Sequence, residues 1–169
     1  MDWELNWMDR ANGWWSSSAL DRVLPWLTHL GSTVAVLVFV VLSWLFTEQP
    51  RFRYGLLLLY GIQSAIAYSL KYLVRRQRPP SSSRKTTRLE IIDPSFPSVH
   101  TLWAFMMATV LGHWFPSCRF LFFLIAGFVG WTRIYLGLHF PTDVLGGGLL
   151  GYGLTRLFLH RFDLSFISS

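Results

Sequence analysis

The sequence predicts an all-α membrane protein: a polytopic helical bundle of about five transmembrane helices with an N-terminal interfacial amphipathic segment. Three observations carry this. Of the 169 residues, 52% are hydrophobic and only 14% charged, and the mean hydropathy is +0.37, a balance too apolar for an ordinary soluble domain. The apolar residues fall in uncharged runs that approach the roughly 20 residues needed to cross about 30 Å of hydrocarbon. Fourteen Phe, nine Trp and six Tyr fit the same class, because amphipathic rings collect where hydrocarbon meets headgroup. The length is most simply one domain, residues 1–169.

Residues 1–26 are too polar to span. Trp3 and Trp7 nevertheless share a helical face, and Trp14, Trp15 and Trp26 follow, so an amphipathic helix lying on the membrane is expected. Asp2 and Glu4 are acidic and no apolar signal-peptide core precedes Trp14, so no cleaved signal is expected. Leu30 to Thr47 is the first uncharged run, with Pro50 marking its exit, and Tyr54 to Leu70 is the second. Continuing the second helix carries Lys71, Arg75 and Arg78 along one face at i, i+4 and i+7 until Pro79-Pro80 ends it. The polar stretch from Pro80 to Pro97 is a long loop, of a length that is commonly functional. A third span starts near His100 and runs to Phe115, a fourth covers Phe120 to Leu138, and a fifth Thr142 to Leu159. Alternating crossings then bring Lys71 to His100 and Arg133 to Asp143 to one membrane face. Gly147 and Gly151 form a small-xxx-small pair suited to close helix packing. Cys118 is the single cysteine; it excludes an internal disulfide and a cysteine zinc site and reads as a small apolar filler.

A net charge of +6 raises nucleic acid as a partner, but seven of the fifteen basic residues lie between Lys71 and Arg88. A local anion site explains that clustering better, and no nucleic-acid partner is expected. Individually, Arg75, Arg76, Arg84, Lys85 and Arg88 also fit a membrane-flanking loop touching anionic headgroups.

Three segments carry chemistry. If Pro141 begins the fifth helix, His139 lies just before it and Asp143 in its first turn. A carboxylate on one ring nitrogen fixes the tautomer and leaves the other nitrogen free to attack phosphorus; the same pair alone also fits a helix cap beside an interfacial histidine. His100 opens another helix after Pro97 and Ser98, where free backbone N–H groups and the Ser98 hydroxyl can hold phosphate oxygens. His100 itself can protonate a leaving group near neutral pH, or simply cap the span. Lys71, Arg78 and Arg133 complete the set, because a phosphoryl group in transit spreads charge over three oxygens. Arg133 within a span is costly unless it faces a polar cavity or a partner. Neither an acidic cluster nor a cysteine–histidine spacing suggests a metal, and no cofactor is expected. Together these segments fit phosphate-ester chemistry on a phosphate carried by a membrane lipid.

The joint pattern resembles the type 2 phosphatidic acid phosphatase superfamily, whose motifs read K-x6-R-P, P-S-G-H and S-R-x5-H-x3-D. Here they stand as KYLVRRQRP from Lys71 to Pro79, PSVH from Pro97 to His100, and TRIYLGLHFPTD from Thr132 to Asp143. The motif region covers residues 71–143. The resemblance implies a metal-independent phosphatase with a phosphohistidine intermediate: His139 as nucleophile, Asp143 as its orienting partner, His100 as general acid, and Lys71, Arg78, Ser98, Val99 and Arg133 holding phosphate. Val99 replaces the usual glycine, keeping the amide donor but losing access to positive φ, and Thr132 replaces serine, keeping the hydroxyl. The implied substrate is a lipid phosphate or diphosphate of the bacterial cell envelope: undecaprenyl diphosphate first, then phosphatidylglycerol phosphate or lipid A 1-phosphate. The implied location is the inner membrane, with the site at the periplasmic or extracytoplasmic face. Arg75, Arg76, Arg84 and Lys85 could favour a diphosphate. A phosphotransferase using the same phosphohistidine is the alternative, and a non-catalytic lipid-phosphate binding protein a third reading, weakened because no catalytic position is missing.

Overall fold

The computed structural model describes residues 2–80, 85 and 93–162, and every regular element among them is helical. Helix α1 spans Asp2–Trp15 and α2 Ser18–Leu27; a 3-10 turn, Thr28–Gly31, leads into α3, Thr33–Phe46. Serines start α2 and α3: Ser17 and Ser32 accept from the backbone N–H groups of Leu20 and Ala35, each at 3.2 Å, satisfying donors that a helix leaves unpaired. Pro50 opens α4, Pro50–Val74, at a position where its missing N–H costs nothing. Then follow α5, Val99–Trp114, a short turn at Pro116–Cys118, α6, Arg119–Tyr135, and α7, Pro141–Phe162.

Helix α4 stops earlier than its sequence suggests. Arg75 takes the left-handed conformation (φ 50°) and its N–H caps the Lys71 carbonyl, so Lys71 is helical while Arg75 and Arg78 lie beyond the end. The expected i, i+4, i+7 face therefore does not form. Pro79 restricts only Arg78, the residue before it, and the chain has left the helix earlier, where the released backbone has another use: the Arg76 carbonyl accepts from Ser95 N–H at 2.8 Å.

Helix α5 is the centre of the bundle, with ten of its sixteen residues buried, and it packs against α3, α6, α7 and the Thr28–Gly31 turn. Its contact with α7 depends on two glycines. A Cβ at Gly147 would stand 2.4 Å from the Ser98 carbonyl oxygen, and one at Gly151 2.3 Å from that of Leu102, so the close packing expected of this pair is present. Gly31 makes a similar approach, with a notional Cβ 2.4 Å from the His100 carbonyl, and so brings the 3-10 turn against the start of α5.

Large apolar side chains face outward on every outer helix, among them Val38 and Leu45 on α3, Leu57 and Leu58 on α4, Phe120 and Leu124 on α6, and Leu145 and Leu149 on α7. A band of this extent is what hydrocarbon, not water, solvates. Pro50–Val74 and Pro116–Tyr135 are each long and apolar enough to cross a membrane, and Ser18–Gly31 with Thr33–Phe46 qualifies as a pair bent by 46°. At the N-terminus Trp3, Trp7, Trp14 and Trp26 are exposed while Glu4 and Met8 are buried, so α1 presents aromatic rings outward and seats an acid inward. Cys118 is exposed in its turn, which corrects its reading as an apolar filler: the turn leaves it no core to fill.

Candidate functional site

The C-terminal end of α4, the start of α5, the last turn of α6 and the connector before α7 meet at one end of the bundle. They enclose a cavity of about 880 Å³ lined by Lys71, Arg78, Val99, His100, Arg133 and His139, together with Asp93, Tyr68, His29 and apolar residues of the α2–α3 bend. The expected cations and imidazoles therefore converge on one space.

The connector is shaped by Arg133, whose carbonyl accepts from the N–H groups of Leu138 at 3.0 Å and His139 at 3.3 Å. Gly137, with φ 68°, supplies the reversal that this fold-back needs. The Arg133 side chain is 2% exposed. Its Nη1 donates to Thr28 Oγ1 at 2.9 Å, while Nε has no hydrogen-bond partner, and no ion pair compensates it among the described residues. A buried guanidinium with an unused donor beside a cavity fits an anionic ligand. Thr132 turns away from the cavity: its hydroxyl donates to Val129 O at 2.6 Å and accepts from Thr28 Oγ1 at 2.9 Å.

Lys71 and Arg78 are joined by a residue that the sequence did not single out. Asp93 takes Lys71 Nζ on one carboxylate oxygen and Arg78 Nη2 on the other, both at 2.8 Å. Partial burial pushes the Asp93 carboxyl up, but the hydrogen bond from Lys71 and the charges of Arg78 and Lys71 outweigh it and hold the group below the usual carboxylate value. Two of the three cations are thus occupied by an internal carboxylate. The one available signal was an acid four residues before Pro97, with no spacing rule to mark it.

His139 is buried. Its Nε2 lies 3.1 Å from Arg78 Nη1, its Nδ1 3.4 Å from Ser95 Oγ and 3.7 Å from Asp143 Oδ2. Burial lowers its pKa, and Arg78, Arg133 and Lys71 lower it further against a smaller opposing effect of Asp93, so the ring is neutral well below its ordinary value of 6.5. Asp143 is fully engaged: Oδ1 accepts from Arg76 at 2.8 Å, and Oδ2 from Ser95 Oγ at 2.5 Å and the Phe140 N–H at 2.8 Å. Arg76 also pairs with buried Glu4 of α1, and Glu4 accepts from Thr142 Oγ1 at 2.7 Å.

Ser98 is the N-cap residue of α5, but its side chain does not cap. It is fully buried, accepts from Thr101 Oγ1 at 3.0 Å, and does not line the cavity; its N–H donates to the Asp143 carbonyl at 3.0 Å. Val99 reaches the cavity without positive φ, so valine in place of glycine carries no backbone strain here. Of the cations proposed to favour a diphosphate, Arg76 is committed to Glu4 and Asp143. Arg75 bonds the Tyr72 carbonyl, and Lys85 sits 3.9 Å over the Tyr135 ring and 3.7 Å from Asp21. None of these three lines the cavity, which removes their support for that preference. Arg84, and most of the Pro80 to Pro97 loop, lie outside the described residues.

The family described as the PAP2 superfamily matches residues 53–166. Phosphatidylglycerophosphatase B of Bacillus subtilis is 30% identical over 146 residues, covering 78% of this chain and 70% of the relative. Undecaprenyl-diphosphatase of Sulfolobus acidocaldarius is 27% identical over 143 residues, covering 83% and 69%. The crystal structure of Aquifex aeolicus LpxE superposes with a TM-score of 0.75 at 28% identity, covering 92% of this chain and 94% of that one.

Proposed function

The chain belongs to the PAP2 superfamily, and from that premise we propose that it is an integral-membrane lipid phosphatase that removes the terminal phosphate of a lipid phosphate or diphosphate through a phosphohistidine intermediate. One observation carries the reading: His100, His139, Lys71, Arg78 and Arg133, whose Nε has no hydrogen-bond partner, line a single cavity whose outer wall is the apolar α2–α3 bend with Trp26, Leu30 and Val34. A phosphate fits among the cations and an acyl or prenyl chain against the bend.

In the proposed reaction His139 Nε2 attacks phosphorus as the bond to the lipid oxygen breaks, and His100 donates the proton that oxygen needs. Lys71, Arg78, Arg133 and the Val99 amide neutralise the phosphoryl oxygens, with Ser98 holding the start of α5 against Asp143 rather than touching phosphate. Asp93 must yield Lys71 and Arg78 when the phosphate enters. Water, deprotonated by His100, then attacks phosphorus and releases inorganic phosphate from His139. These residues supply the charge that the transition state needs, so no metal is required.

Undecaprenyl diphosphate is the favoured substrate, with phosphatidylglycerol phosphate and lipid A 1-phosphate next; relatives bearing the first two activities in their names support both as candidates without ranking them. We place the chain as one domain crossing the bacterial inner membrane about five times, α5 and α7 included, with the cavity at the extracytoplasmic face. The test is phosphate release from a panel of detergent-solubilised lipid phosphates. His139→Ala should abolish turnover while lipid binding survives, and normal hydrolysis by that variant would overturn the mechanism.

A further inference from the structure

Asp143 does not reach His139 within hydrogen-bond range: Oδ2 stands 3.7 Å from Nδ1. The fully buried Ser95 hydroxyl occupies the interval, 2.5 Å from that carboxylate oxygen and 3.4 Å from Nδ1. Counting donors assigns the protons. A hydroxyl has one hydrogen, and the short contact to a carboxylate, which only accepts, uses it. Ser95 therefore has only lone pairs left for the ring, and His139 Nδ1 must carry the proton. The other side of the ring agrees, because a guanidinium only donates and Arg78 Nη1 is 3.1 Å from Nε2, so Nε2 is the bare nitrogen.

Ser95 is also held in place. Its N–H donates to the Arg76 carbonyl at 2.8 Å, and the Arg76 guanidinium returns to Asp143 Oδ1 at 2.8 Å, which closes a ring of three residues braced by Glu4. We infer that Ser95 is a positioning residue for the reaction: its hydroxyl couples Asp143 to Nδ1 of His139 and so holds the imidazole in the tautomer whose Nε2 attacks phosphorus. The inference rests on His139 being the nucleophile. As the ring gains charge during attack, the Nδ1–H bond to Ser95 strengthens and the serine dipole, aligned by Asp143, transmits the carboxylate's stabilisation. Ser95 keeps its hydrogen and Asp143 its charge throughout.

The experiment is a double-mutant cycle in turnover of a detergent-solubilised lipid phosphate, using the full chain, Ser95→Ala, Asp143→Asn, the double variant and His139→Ala. Ser95→Ala should lower kcat by about tenfold or more with KM within about twofold. The double variant should be no more than about twofold slower than the slower single variant, because both act along one path. Wild-type kcat for Ser95→Ala would overturn the inference, since Asp143 would then serve His139 without it, and so would costs that multiply in the double variant. If Ser95→Ala does not fold, Ser95→Gly, which likewise removes the hydroxyl, is judged by the same criteria. An inactive His139→Ala beside an unimpaired Ser95→Ala sinks the serine alone, whereas an active His139→Ala sinks the nucleophile.

Discussion

Adding one methyl group at Gly147 tests the α5–α7 contact and its hold on the site together. The new Cβ would meet the Ser98 carbonyl oxygen at 2.4 Å, and at Gly151 it would meet that of Leu102 at 2.3 Å. Both obstacles are backbone, so the helices must part by about 1 Å to restore van der Waals contact. Overpacking of this kind costs about 1–3 kcal/mol, of which the better helix propensity of alanine returns up to about 1 kcal/mol. Gly147→Ala and Gly151→Ala should therefore each lose up to about 2 kcal/mol, while Gly153→Ala, with nothing within 4 Å, should gain a few tenths to about 1 kcal/mol. Activity should separate the first two. Ser98 precedes Val99 and His100 and bonds the Asp143 carbonyl, so displacement there moves one imidazole relative to the other, and a shift near 1 Å can cost about 100-fold in rate. Leu102 lies a turn further from the cavity, and Gly151→Ala should lose about tenfold or less. Thermal unfolding in detergent and phosphate release by the folded variants measure both effects. A Gly147→Ala protein with wild-type melting and turnover would refute the close approach and the link to the site.

Asp93→Asn removes the internal charge that occupies Lys71 and Arg78, so inhibition by inorganic phosphate should strengthen several-fold; a weaker inhibition would show that Asp93 holds the cations for phosphate instead of competing with it. Because burial and three cations hold the His139 pKa down, its neutral, attacking form persists as pH falls. The acid limb of kcat/KM should therefore have its midpoint below the ordinary histidine value of 6.5, and a midpoint above it would count against His139. Chelators should leave phosphate release unchanged, and strong inhibition restored by added divalent metal would refute catalysis by side chains alone.

Much of this architecture was legible one-dimensionally. The uncharged runs fall where α3 to α7 form, and among the described residues Pro50–Val74, Pro116–Tyr135 and the bent pair Ser18–Gly31 with Thr33–Phe46 have the length and apolarity that a bilayer demands. Pro141 does begin α7, as the spacing of His139 and Asp143 required, and the Gly147–Gly151 spacing reported a real helix contact. The exit of α4 was misread because periodicity extends a helix until a proline, whereas the chain leaves at Arg75 and spends the Arg76 carbonyl on Ser95.

Six of the residues lining the cavity, Lys71, Arg78, Val99, His100, Arg133 and His139, also came from the sequence, since motif spacing records which charges and imidazoles each helix end carries, whereas His29, Tyr68 and Asp93 did not and Ser98 lies off the cavity. How they are partnered did not. Asp93 between Lys71 and Arg78, Ser95 between Asp143 and His139, and Glu4 behind Arg76 join positions up to 72 residues apart, and no local period relates them. Hydropathy and spacing follow from the chain's own repeat, and so the sequence by itself determined the helices and the chemical inventory. Hydrogen bonds act over about 3 Å, so only the folded backbone, with Gly31, Gly147 and Gly151 admitting close approach, decided which donor met which acceptor.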